Sequence, residues 1–316
     1  MPSQNKPLVA IVGPTAVGKT EIAIQVAQRV EGEVISADSR LLYRGMDIGT
    51  AKPSAADRAR VPHHLIDVAE PDEIWGLGLF QEAAREAITD IHSRGRLPIL
   101  VGGTGQYLRA IMEGWAPPKL AARPKLRAVL QDWAEEIGKD GLHTRLRRLD
   151  AEAAHGIDPR NVRRTIRALE VIFSTGRKFS EARGRIVSSY RVLQVGLTRP
   201  RAQLYQRIDD RIAAMLDSGW LDEVRALRAK GYSLELSSLS AIGYQQLAAH
   251  LGGKITLDEA VAQIKHATRI FVRRQANWFK HKDPNIRWFE AGGVETVSEI
   301  ENLINQFIEK TRLSSQ

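Results

Sequence analysis

The chain contains no cysteine among its 316 residues. Disulfide bonds, zinc sites built on thiolates and cysteine nucleophiles are therefore excluded. No run of about 18 or more apolar residues occurs, so we expect no membrane-spanning helix. Residues 1–7 lack the apolar core of a secretion signal, which favours a cytoplasmic protein. Internal repeats and low-complexity segments are also absent from the sequence.

Negative charge is scarcer than positive charge, with 37 Asp and Glu against 46 Lys and Arg and a net charge of +9. Residues 121–200 hold 17 Lys and Arg but only 9 Asp and Glu, so nearly all of the excess lies there. A local basic field is typical of nucleic-acid binding, because each neutralised phosphate releases counterions. A well-solvated helical surface would have the same composition, and both interpretations stay open on charge alone.

Residues 13–20 read GPTAVGKT and match the phosphate-binding pattern G-x-x-x-x-G-K-[ST]. The motif follows an apolar strand-like run and precedes a helical pattern, which is the context that such a loop requires. Backbone amides of the loop and of the helix N-terminus would point at phosphate oxygens. The predicted diphosphate-binding residues of this P-loop are Gly13, Pro14, Thr15, Ala16, Val17, Gly18, Lys19 and Thr20. Lys19 would supply a cation, and the Thr20 hydroxyl is the usual Mg²⁺ contact.

Short apolar runs alternate with amphipathic segments over roughly the first hundred residues. We predict strands at 8–12, 33–37, 64–68 and 97–101, with helices after Lys19 and over 80–91. This β-α-β order predicts an α/β fold of the P-loop NTPase type, with a parallel sheet and helices on both of its faces.

From about residue 120 the sequence becomes Arg-rich and helical. We predict an all-helical insertion domain over 120–186, inside a catalytic core formed by 1–119 and 187–316. Strand character returns at 190–197, and a long helix is predicted over 202–217.

The C-terminal third is predicted to be helical. Thr256 and Glu259 form a capping-box pattern that should open a helix ending near Phe279. Lys265, Arg269 and Arg273 would form a basic stripe along one face of that helix, because they recur every four residues.

Acidic and polar residues at predicted strand ends are the candidates for chemistry. The most apolar strand ends in PILVGG, without the acidic metal ligand that a nucleotide hydrolase needs. Asp38 and Asp67 end weaker strands and stay open as metal ligands. Asp38 could also accept a proton from an amine or hydroxyl at the carboxyl edge of the sheet, or simply cap a helix. Thr104 follows another strand and could face a ligand or form an ordinary turn, whereas His63 and His64 favour a structural role.

Eight segments together resemble the bacterial tRNA dimethylallyltransferases, also called tRNA isopentenyltransferases. They are GPTAVGKT, DSRLLYRGMDIGTAKP, HHLID, GRLPILVGGTGQYL, NVRRTIRALEV, GLTRPRAQLYQRIDDRI, AIGY and ATRIFVRRQANWF. The resemblance extends from about residue 8 to residue 290 in the family's order. RGMDIGTAKP together with VGGTG is its most specific part, since a phosphate-binding loop alone is shared with many unrelated proteins.

The resemblance implies an activity and its partners. The dimethylallyl group of dimethylallyl diphosphate would be transferred to N6 of the adenosine immediately 3′ of the anticodon. This adenosine is position 37, in tRNAs that read codons starting with U. The implied partners are the tRNA anticodon stem-loop and dimethylallyl diphosphate, the implied cofactor is Mg²⁺, and a monomer without a membrane partner is expected. The inserted helical domain would bind tRNA.

The resemblance also implies site residues. Asp38 would bind the N6 amine as general base, Lys19 and Arg211 would contact the diphosphate, and Thr20 would hold Mg²⁺. The positions that match tRNA-contacting segments are Asp38, Ser39, Arg40, Leu41, Thr104, Arg127, Arg163, Arg164, Thr165, Ile166, Arg167, Ser240, Ala241, Ile242, Gly243, Tyr244, Gln245, Arg273 and Arg274. Three positions depart from the usual family pattern: Val17 stands for a serine, and Leu41 and Arg163 stand for glutamines.

Two rival functions share many of these features. A small-molecule or nucleotide kinase has the same loop and fold class, but it consumes ATP, which a prenyltransferase leaves untouched. A non-enzymatic RNA-binding protein with a vestigial loop would bind tRNA without turning over any diphosphate. The intact Lys19 and Thr20 argue against the second alternative.

Overall fold

The structure is a computed structural model that describes residues 6–118, 120, 123–182, 184–185 and 189–313. The chain divides into two compact units, one of Met1–Met112 with Ser188–Gln316 and one of Glu113–Val187. The second unit thus begins earlier than the insertion predicted for 120–186. Within the described residues, no helix has both the length and the apolar character needed to cross a membrane.

The described strands are short, and all but two belong to the first unit. In chain order they are β1 (Lys6–Val12), β2 (Gly32–Ser36), β3 (His63–His64), β4 (Leu97–Gly102), β5 (Trp115–Ala116), β6 (Gly184–Arg185), β7 (Tyr190–Thr198) and β8 (Ile286–Glu290). The first unit arranges its strands as a parallel sheet in the order β3-β2-β4-β1-β7-β8. The predicted parallel α/β sheet is confirmed.

Helices connect the strands and make up most of both units. They are α1 (Lys19–Arg29), α2 (Ala55–Arg60), α3 (Leu77–Ser93), α4 (Gly105–Met112), α5 (Pro124–Leu149), α6 (Ala151–His155), α7 (Val162–Thr175), α8 (Phe179–Ala182), α9 (Arg201–Asp217), α10 (Trp220–Ala229), α11 (Tyr244–Leu251), α12 (Leu257–Ala276) and α13 (Thr296–Leu313). A 3-10 turn at Ser238–Ser240 precedes α11.

The continuous apolar runs become central strands because a parallel sheet is covered on both sides. Every residue of β4 is buried, and so is β1 from Leu8 onward. The capping box of α12 is present as predicted, with the amide of Glu259 donating to the Thr256 hydroxyl and the amide of Thr256 donating to the Glu259 carboxylate. These two short-range patterns are therefore sufficient to locate the corresponding elements.

Two predicted elements differ from the structure. The strand expected at 64–68 is limited to β3, because Leu65 and Asp67 have φ angles of +61° and +57°, which an extended strand cannot accommodate. The C-terminal third was predicted to be helical, but it also contains β8, which pairs with Gln194 to Thr198 of β7 at the edge of the sheet. The five-residue strand carries too short an apolar pattern to stand out from its helical neighbours.

The second unit has its own core, formed by α5, α6, α7 and α8. Leu142, Leu146 and Leu169 are fully buried there. Gly138, with a φ of +72°, breaks α5 into two helical segments. The unit was predicted to be all helical, but the antiparallel pair of β5 and β6 is present as well.

Candidate active site

Three loops that follow neighbouring strands meet at one edge of the sheet. The P-loop follows β1, Asp38 follows β2 and Thr104 follows β4, which lies between the other two strands. The amide of Thr104 donates to the carbonyl of Ala37 over 3.3 Å, and the amide of Ser39 donates to Oγ1 of Thr104 over 3.2 Å. Because these hydrogen bonds join the ends of β2 and β4, residues 37–39 are fixed beside the P-loop. This is the carboxyl edge at which open α/β sheets bind ligands.

The P-loop presents the start of α1 without a side-chain cap. Gly18 occupies the N-cap position with a φ of +111°, and no side chain accepts from the first amides of the helix. Nζ of Lys19 turns back to donate to the carbonyl of Gly13 over 3.0 Å and to that of Pro14 over 2.8 Å. Thr20 is exposed, whereas Val17 is fully buried in the core. The loop therefore offers backbone donors, an ammonium and one hydroxyl to an anion.

The charges of Lys19, Asp38 and Arg211 influence one another. Burial lowers the pKa of Lys19 from its ordinary 10.5 to about 8, with the Asp38 carboxylate opposing the shift and Arg211 adding to it. Burial also lowers the pKa of Arg211, Asp38 again opposes, and Arg207 adds to the shift. Two cations are thus held near one carboxylate, and a diphosphate would supply the negative charge that this group lacks.

We expect the affinity for inorganic pyrophosphate to fall as the pH rises above about 8. Below that value Lys19 is already protonated in the free protein. Above it, Lys19 is largely a neutral amine that must take up a proton when the anion binds, so the affinity falls by up to about tenfold per pH unit. Calorimetry in buffers of different ionisation enthalpy would measure this proton uptake. Lys19→Met should bind more weakly and lack this step, and equal pH profiles for the two proteins would contradict the assignment.

Two further arginines contact the P-loop and were not predicted. Nε of Arg207 donates to the carbonyl of Ala16 over 2.9 Å, and Nε of Arg199 donates to that of Val17 over 3.4 Å. Arg207 lies four residues before Arg211 on α9, so both project from one side of that helix. The sequence therefore indicated that Arg207 lies on the same side of the helix as Arg211. No comparable local pattern indicated the position of Arg199.

Gln275, in the last turn of α12, also reaches the P-loop. Its Oε1 accepts from the amide of Thr15 over 2.8 Å, and its Nε2 donates to the carbonyl of Gly103 over 3.1 Å. The end of α12 can approach β4 only because the facing positions are glycines. A Cβ on Gly103 would lie 2.2 Å from Nε2 of Gln275, and one on Gly105 would lie 2.2 Å from the ring of Trp278. The glycines of VGGTG are therefore required by packing.

A glutamate on α10 binds the backbone of the segment that follows Asp38. The Glu223 carboxylate accepts from the amides of Asp47, Ile48 and Gly49 at 2.6, 2.7 and 3.1 Å. It also accepts from the hydroxyl of Tyr244 over 2.7 Å. A charged acceptor shared by three amides fixes this loop strongly.

Asp67 is not available as a metal ligand. Its carboxylate accepts from Lys52, whose side chain is almost fully buried, and from Arg58 over 2.9 Å. Both oxygens already bind cations, which argues against Asp67 as a metal ligand, a possibility that the sequence left open. His64 lies 2.8 Å from the Glu33 carboxylate, in agreement with a structural role.

A divalent ion would find few protein ligands at this site. Among the described residues, no group of three or more His, Asp and Glu side chains is arranged to hold a metal. The exposed Thr20 hydroxyl at the start of α1 and the nearby Asp38 carboxylate are the oxygen donors at hand. This donor set fits Mg²⁺ bound largely through phosphate and water oxygens, because Mg²⁺ dehydrates reluctantly.

The positions predicted to contact tRNA fall into exposed and buried groups. The exposed ones are Arg127, Arg163, Arg164, Ser240, Gln245, Arg273 and Arg274, and the half-buried ones are Asp38, Ser39, Arg40, Leu41, Thr104, Arg167 and Ile242. Buried positions are Thr165, Ile166, Ala241, Gly243 and Tyr244. That these last positions contact tRNA stays a prediction. Thr165 and Ile166 face the interior of the second unit, and the hydroxyl of Tyr244 donates to Glu223, so these side chains have internal surroundings.

Several basic side chains are occupied by acidic neighbours. Arg127 donates through Nε and Nη2 to the fully buried Glu170, at 2.9 Å each, and Arg167 donates to the same carboxylate over 2.6 Å. In the predicted basic stripe, Lys265 and Arg269 lie 3.9 and 2.8 Å from the Asp209 carboxylate. Of the three residues of the stripe, Arg273 is the exposed one. The paired residues contribute less positive field than their number suggests.

Comparison with known proteins identifies relatives over most of the chain. A family model described as IPP transferase matches residues 41–282, and one described as isopentenyl transferase matches residues 6–63. The chain is 49% identical over 303 residues to the tRNA dimethylallyltransferase of Roseiflexus sp. (strain RS-1), covering 96% of this chain and 99% of the relative.

Solved structures agree with these matches. The full-length tRNA isopentenylpyrophosphate transferase of Bacillus halodurans is 40% identical, with a TM-score of 0.74 and coverage of 99% of this chain and 100% of that one. A eukaryotic dimethylallyltransferase solved while acting on tRNA is 29% identical, with a TM-score of 0.82 and coverage of 97% of this chain and 80% of that one.

Proposed function

Because the chain belongs to the IPP transferase family, we propose that it transfers a dimethylallyl group from dimethylallyl diphosphate to tRNA. The acceptor in this proposal is N6 of the adenosine 3′-adjacent to the anticodon, at position 37 of tRNAs that read codons starting with U. The enzyme is a prenyltransferase, and the names of its relatives agree on tRNA as the substrate. Action on tRNA would place it in the cytoplasm, and its expected monomeric state stays a prediction.

The observation that carries the proposal is one carboxylate held beside an anion-binding loop. Asp38 interacts with both Lys19 and Arg211, and its strand end is tied to that of β4. An acidic side chain in such a place would either hold a metal ion beside the phosphates or serve another substrate group. An amine that must lose a proton as it forms a bond is such a group.

The P-loop side of the site would stabilise the leaving diphosphate. As the allylic C–O bond breaks, negative charge builds on the diphosphate oxygens. The loop amides, Lys19 and Arg211 would neutralise this charge, which is how preorganised donors stabilise a transition state. Mg²⁺, held through Thr20 and the diphosphate, would supply further positive charge to the leaving group.

Asp38 would complete the reaction on the acceptor side. The lone pair of adenine N6 is delocalised into the ring, so the amine is a weak nucleophile and its orientation matters. The Asp38 carboxylate would hydrogen-bond N6 and take one of its protons as the C–N bond forms. Oδ1 of Asp38 accepts from the amide of Arg40 over 2.9 Å, which fixes the carboxylate while leaving Oδ2 for the substrate.

The adenine must leave its stack to reach Asp38. Enzymes that act on a base commonly extrude it, and an anticodon loop makes this less costly than a duplex does. The exposed Arg163 and Arg164 of α7 would hold tRNA phosphates, which positions the substrate without reading its sequence. Arg273 and Arg274, exposed at the end of α12, would do the same near the P-loop.

The test of this function is a single incubation. Purified protein is mixed with dimethylallyl diphosphate, unmodified tRNA and ATP, and the tRNA nucleosides are then analysed by mass spectrometry. We expect N6-(dimethylallyl)adenosine to accumulate while the ATP concentration stays constant. Consumption of ATP without a prenylated nucleoside would favour the kinase alternative, and tRNA binding without any product would favour a non-enzymatic RNA-binding protein.

We also expect the affinity for tRNA to fall steeply as salt rises, because bound phosphates release counterions. Replacing Arg163 and Arg164 together with alanine should reduce the slope of log affinity against log salt by about 2. Arg225→Ala is a matched control, since Arg225 is an exposed arginine on α10, outside the second unit. Filter binding over a salt series measures both slopes. If the double variant and the unmodified protein had the same slope, α7 would not be part of the tRNA interface.

A further inference from the structure

One glutamine joins two of the loops that form the candidate site. Oε1 of Gln275 accepts from the amide of Thr15 over 2.8 Å, and its Nε2 donates to the carbonyl of Gly103 over 3.1 Å. The residue is 6% exposed, so both hydrogen bonds are largely shielded from water. The carboxamide therefore links the P-loop, which follows β1, to the end of the neighbouring strand β4.

The two partners of this carboxamide lead to opposite sides of the proposed reaction. Thr15 belongs to the loop that would hold the diphosphate of the donor. Gly103 directly precedes Thr104, which binds the backbone on either side of Asp38 through its amide and its Oγ1. The end of β4 thus fixes the segment that carries the proposed base. The separation of donor and acceptor depends on how these two strand ends are held.

Strand pairing alone does not hold them. β1 pairs with β4 only as far as Val12 and Gly102, and beyond that point the P-loop leaves the sheet. The hydrogen bonds of Lys19 to the carbonyls of Gly13 and Pro14 stay within the loop. The glutamine side chain spans the gap that opens where the pairing of the two strands ends.

From this bridge we infer that Gln275 is a positioning residue, which aligns the donor on the P-loop with the acceptor amine at Asp38. The inference rests on the proposed function, because it concerns the same reaction. Gln275 acts through the backbone of the two loops and touches neither substrate. Alignment of this kind has a large effect, since a misplacement of about 1 Å can slow a reaction between bound groups by about 10²-fold.

The last turn of α12 is itself anchored on the acceptor side. The ring of Trp278 packs on Gly105, where a Cβ would lie 2.2 Å from it, and Nη2 of Arg109 donates to the carbonyl of Trp278 over 2.8 Å. The amide of Trp278 donates to the carbonyl of Gln275 over 3.0 Å. Because α4 follows β4 closely, these contacts fix the glutamine to the acceptor side. Its bond to Thr15 then extends this connection to the P-loop.

Misalignment would have a distinct chemical outcome. In transfer, the bond between C1 of the donor and the diphosphate oxygen breaks, C1 bonds to N6, and N6 gives up a proton to Asp38. If N6 is displaced as the C–O bond breaks, a water oxygen bonds to C1 instead and releases a proton to solvent. The products are then dimethylallyl alcohol and pyrophosphate. A site that has lost its alignment therefore diverts the donor from tRNA to water.

The experiment measures both products, using the full chain with dimethylallyl diphosphate, Mg²⁺ and unmodified tRNA. Gln275→Met keeps the length and bulk of the side chain but makes neither hydrogen bond. We expect it to lower kcat for transfer by about 10- to 100-fold. The KM values of both substrates should stay within about threefold, because neither substrate loses a contact. The ratio of dimethylallyl alcohol to prenylated nucleoside should rise by about tenfold or more, and Gln275→Ala should raise it as well.

Gln263→Ala is the matched control, because Gln263 is exposed on the same helix, and its rate and ratio should equal those of the unmodified protein. A purely structural role for Gln275 would reduce the amount of active protein and both products together. A slower Gln275→Met with an unchanged ratio would therefore overturn the inference.

Two other results would also overturn it. Gln275→Met could transfer at the unmodified rate, or it could raise the KM for the donor at unchanged kcat, which would assign Gln275 to anion binding alone. If the unmodified protein formed no prenylated nucleoside, the proposed function would fail, and this inference with it. Transfer by the unmodified protein distinguishes the two failures.

Discussion

Replacing Asp38 with asparagine is expected to lower the rate of dimethylallyl transfer by about 10²- to 10⁴-fold, the usual loss when a general base is removed. Asparagine has nearly the same shape, and its side-chain oxygen can still accept from the amide of Arg40, as Asp38 does over 2.9 Å. It cannot take the proton of N6. Asp38→Ala should show a loss of the same size, whereas the affinity of both variants for tRNA should stay near that of the unmodified protein.

The measurement is single-turnover transfer of a labelled dimethylallyl group, with tRNA binding measured separately. The assay should be run at a pH well below the Lys19 pKa of about 8. The Asp38 charge raises the pKa of Lys19, so its removal would otherwise also change the protonation of Lys19. Asp217→Ala is a suitable control, since Asp217 is exposed at the end of α9. Transfer by Asp38→Asn at the unmodified rate would show that another group accepts the proton.

Replacing Arg211 with methionine is expected to lower transfer by about 10²- to 10³-fold, the loss that follows removal of one preorganised donor to developing charge. Arg211 lies midway along α9, and its charge interacts with those of Asp38 and Lys19. Methionine keeps much of the length and apolar packing of the side chain but loses the charge. The charge on the departing diphosphate would then be met by Lys19 and the loop amides alone.

The kinetic signature separates two roles for Arg211. A role in stabilising the leaving group predicts a fall in kcat that exceeds the rise in KM for the donor. Arg201→Met is the matched control on the same helix, because Arg201 is exposed and its guanidinium lies over the ring of Tyr205. A change confined to tRNA affinity in Arg211→Met would place this residue on the acceptor side.

Much of the site rests on interactions that no local pattern contains. Gln275 binds the amide of Thr15 across 260 positions of sequence. Glu223 binds the loop at 47–49 from a helix that follows the whole second unit. Each of these side chains is ordinary in its own neighbourhood, since glutamine and glutamate are common on helices. Only the packing of α10 and α12 gives them their partners.

The burial of predicted contact residues has a similar explanation. The segment NVRRTIRALEV was matched as a unit, but a helix distributes consecutive residues around its axis. Arg163 and Arg164 therefore reach solvent, while Thr165 and Ile166 enter the core of the second unit. The apolar spacing of α7 was visible in the sequence and could have separated the two groups. The roles assigned to the exposed residues stay predictions.

Local sequence by itself determined the P-loop, the capping box of α12 and the buried strands β1 and β4. Each of these features is specified by a few consecutive residues, or by side chains that recur every two or about four residues. Tertiary structure alone decided that the charges of Asp38, Lys19 and Arg211 interact, that Asp67 is paired with Lys52 and Arg58, and that Gln275 binds the P-loop. The physical reason is that the order of strands in the sheet differs from their order in the chain. Side chains remote in sequence meet at its edge only after the core has packed.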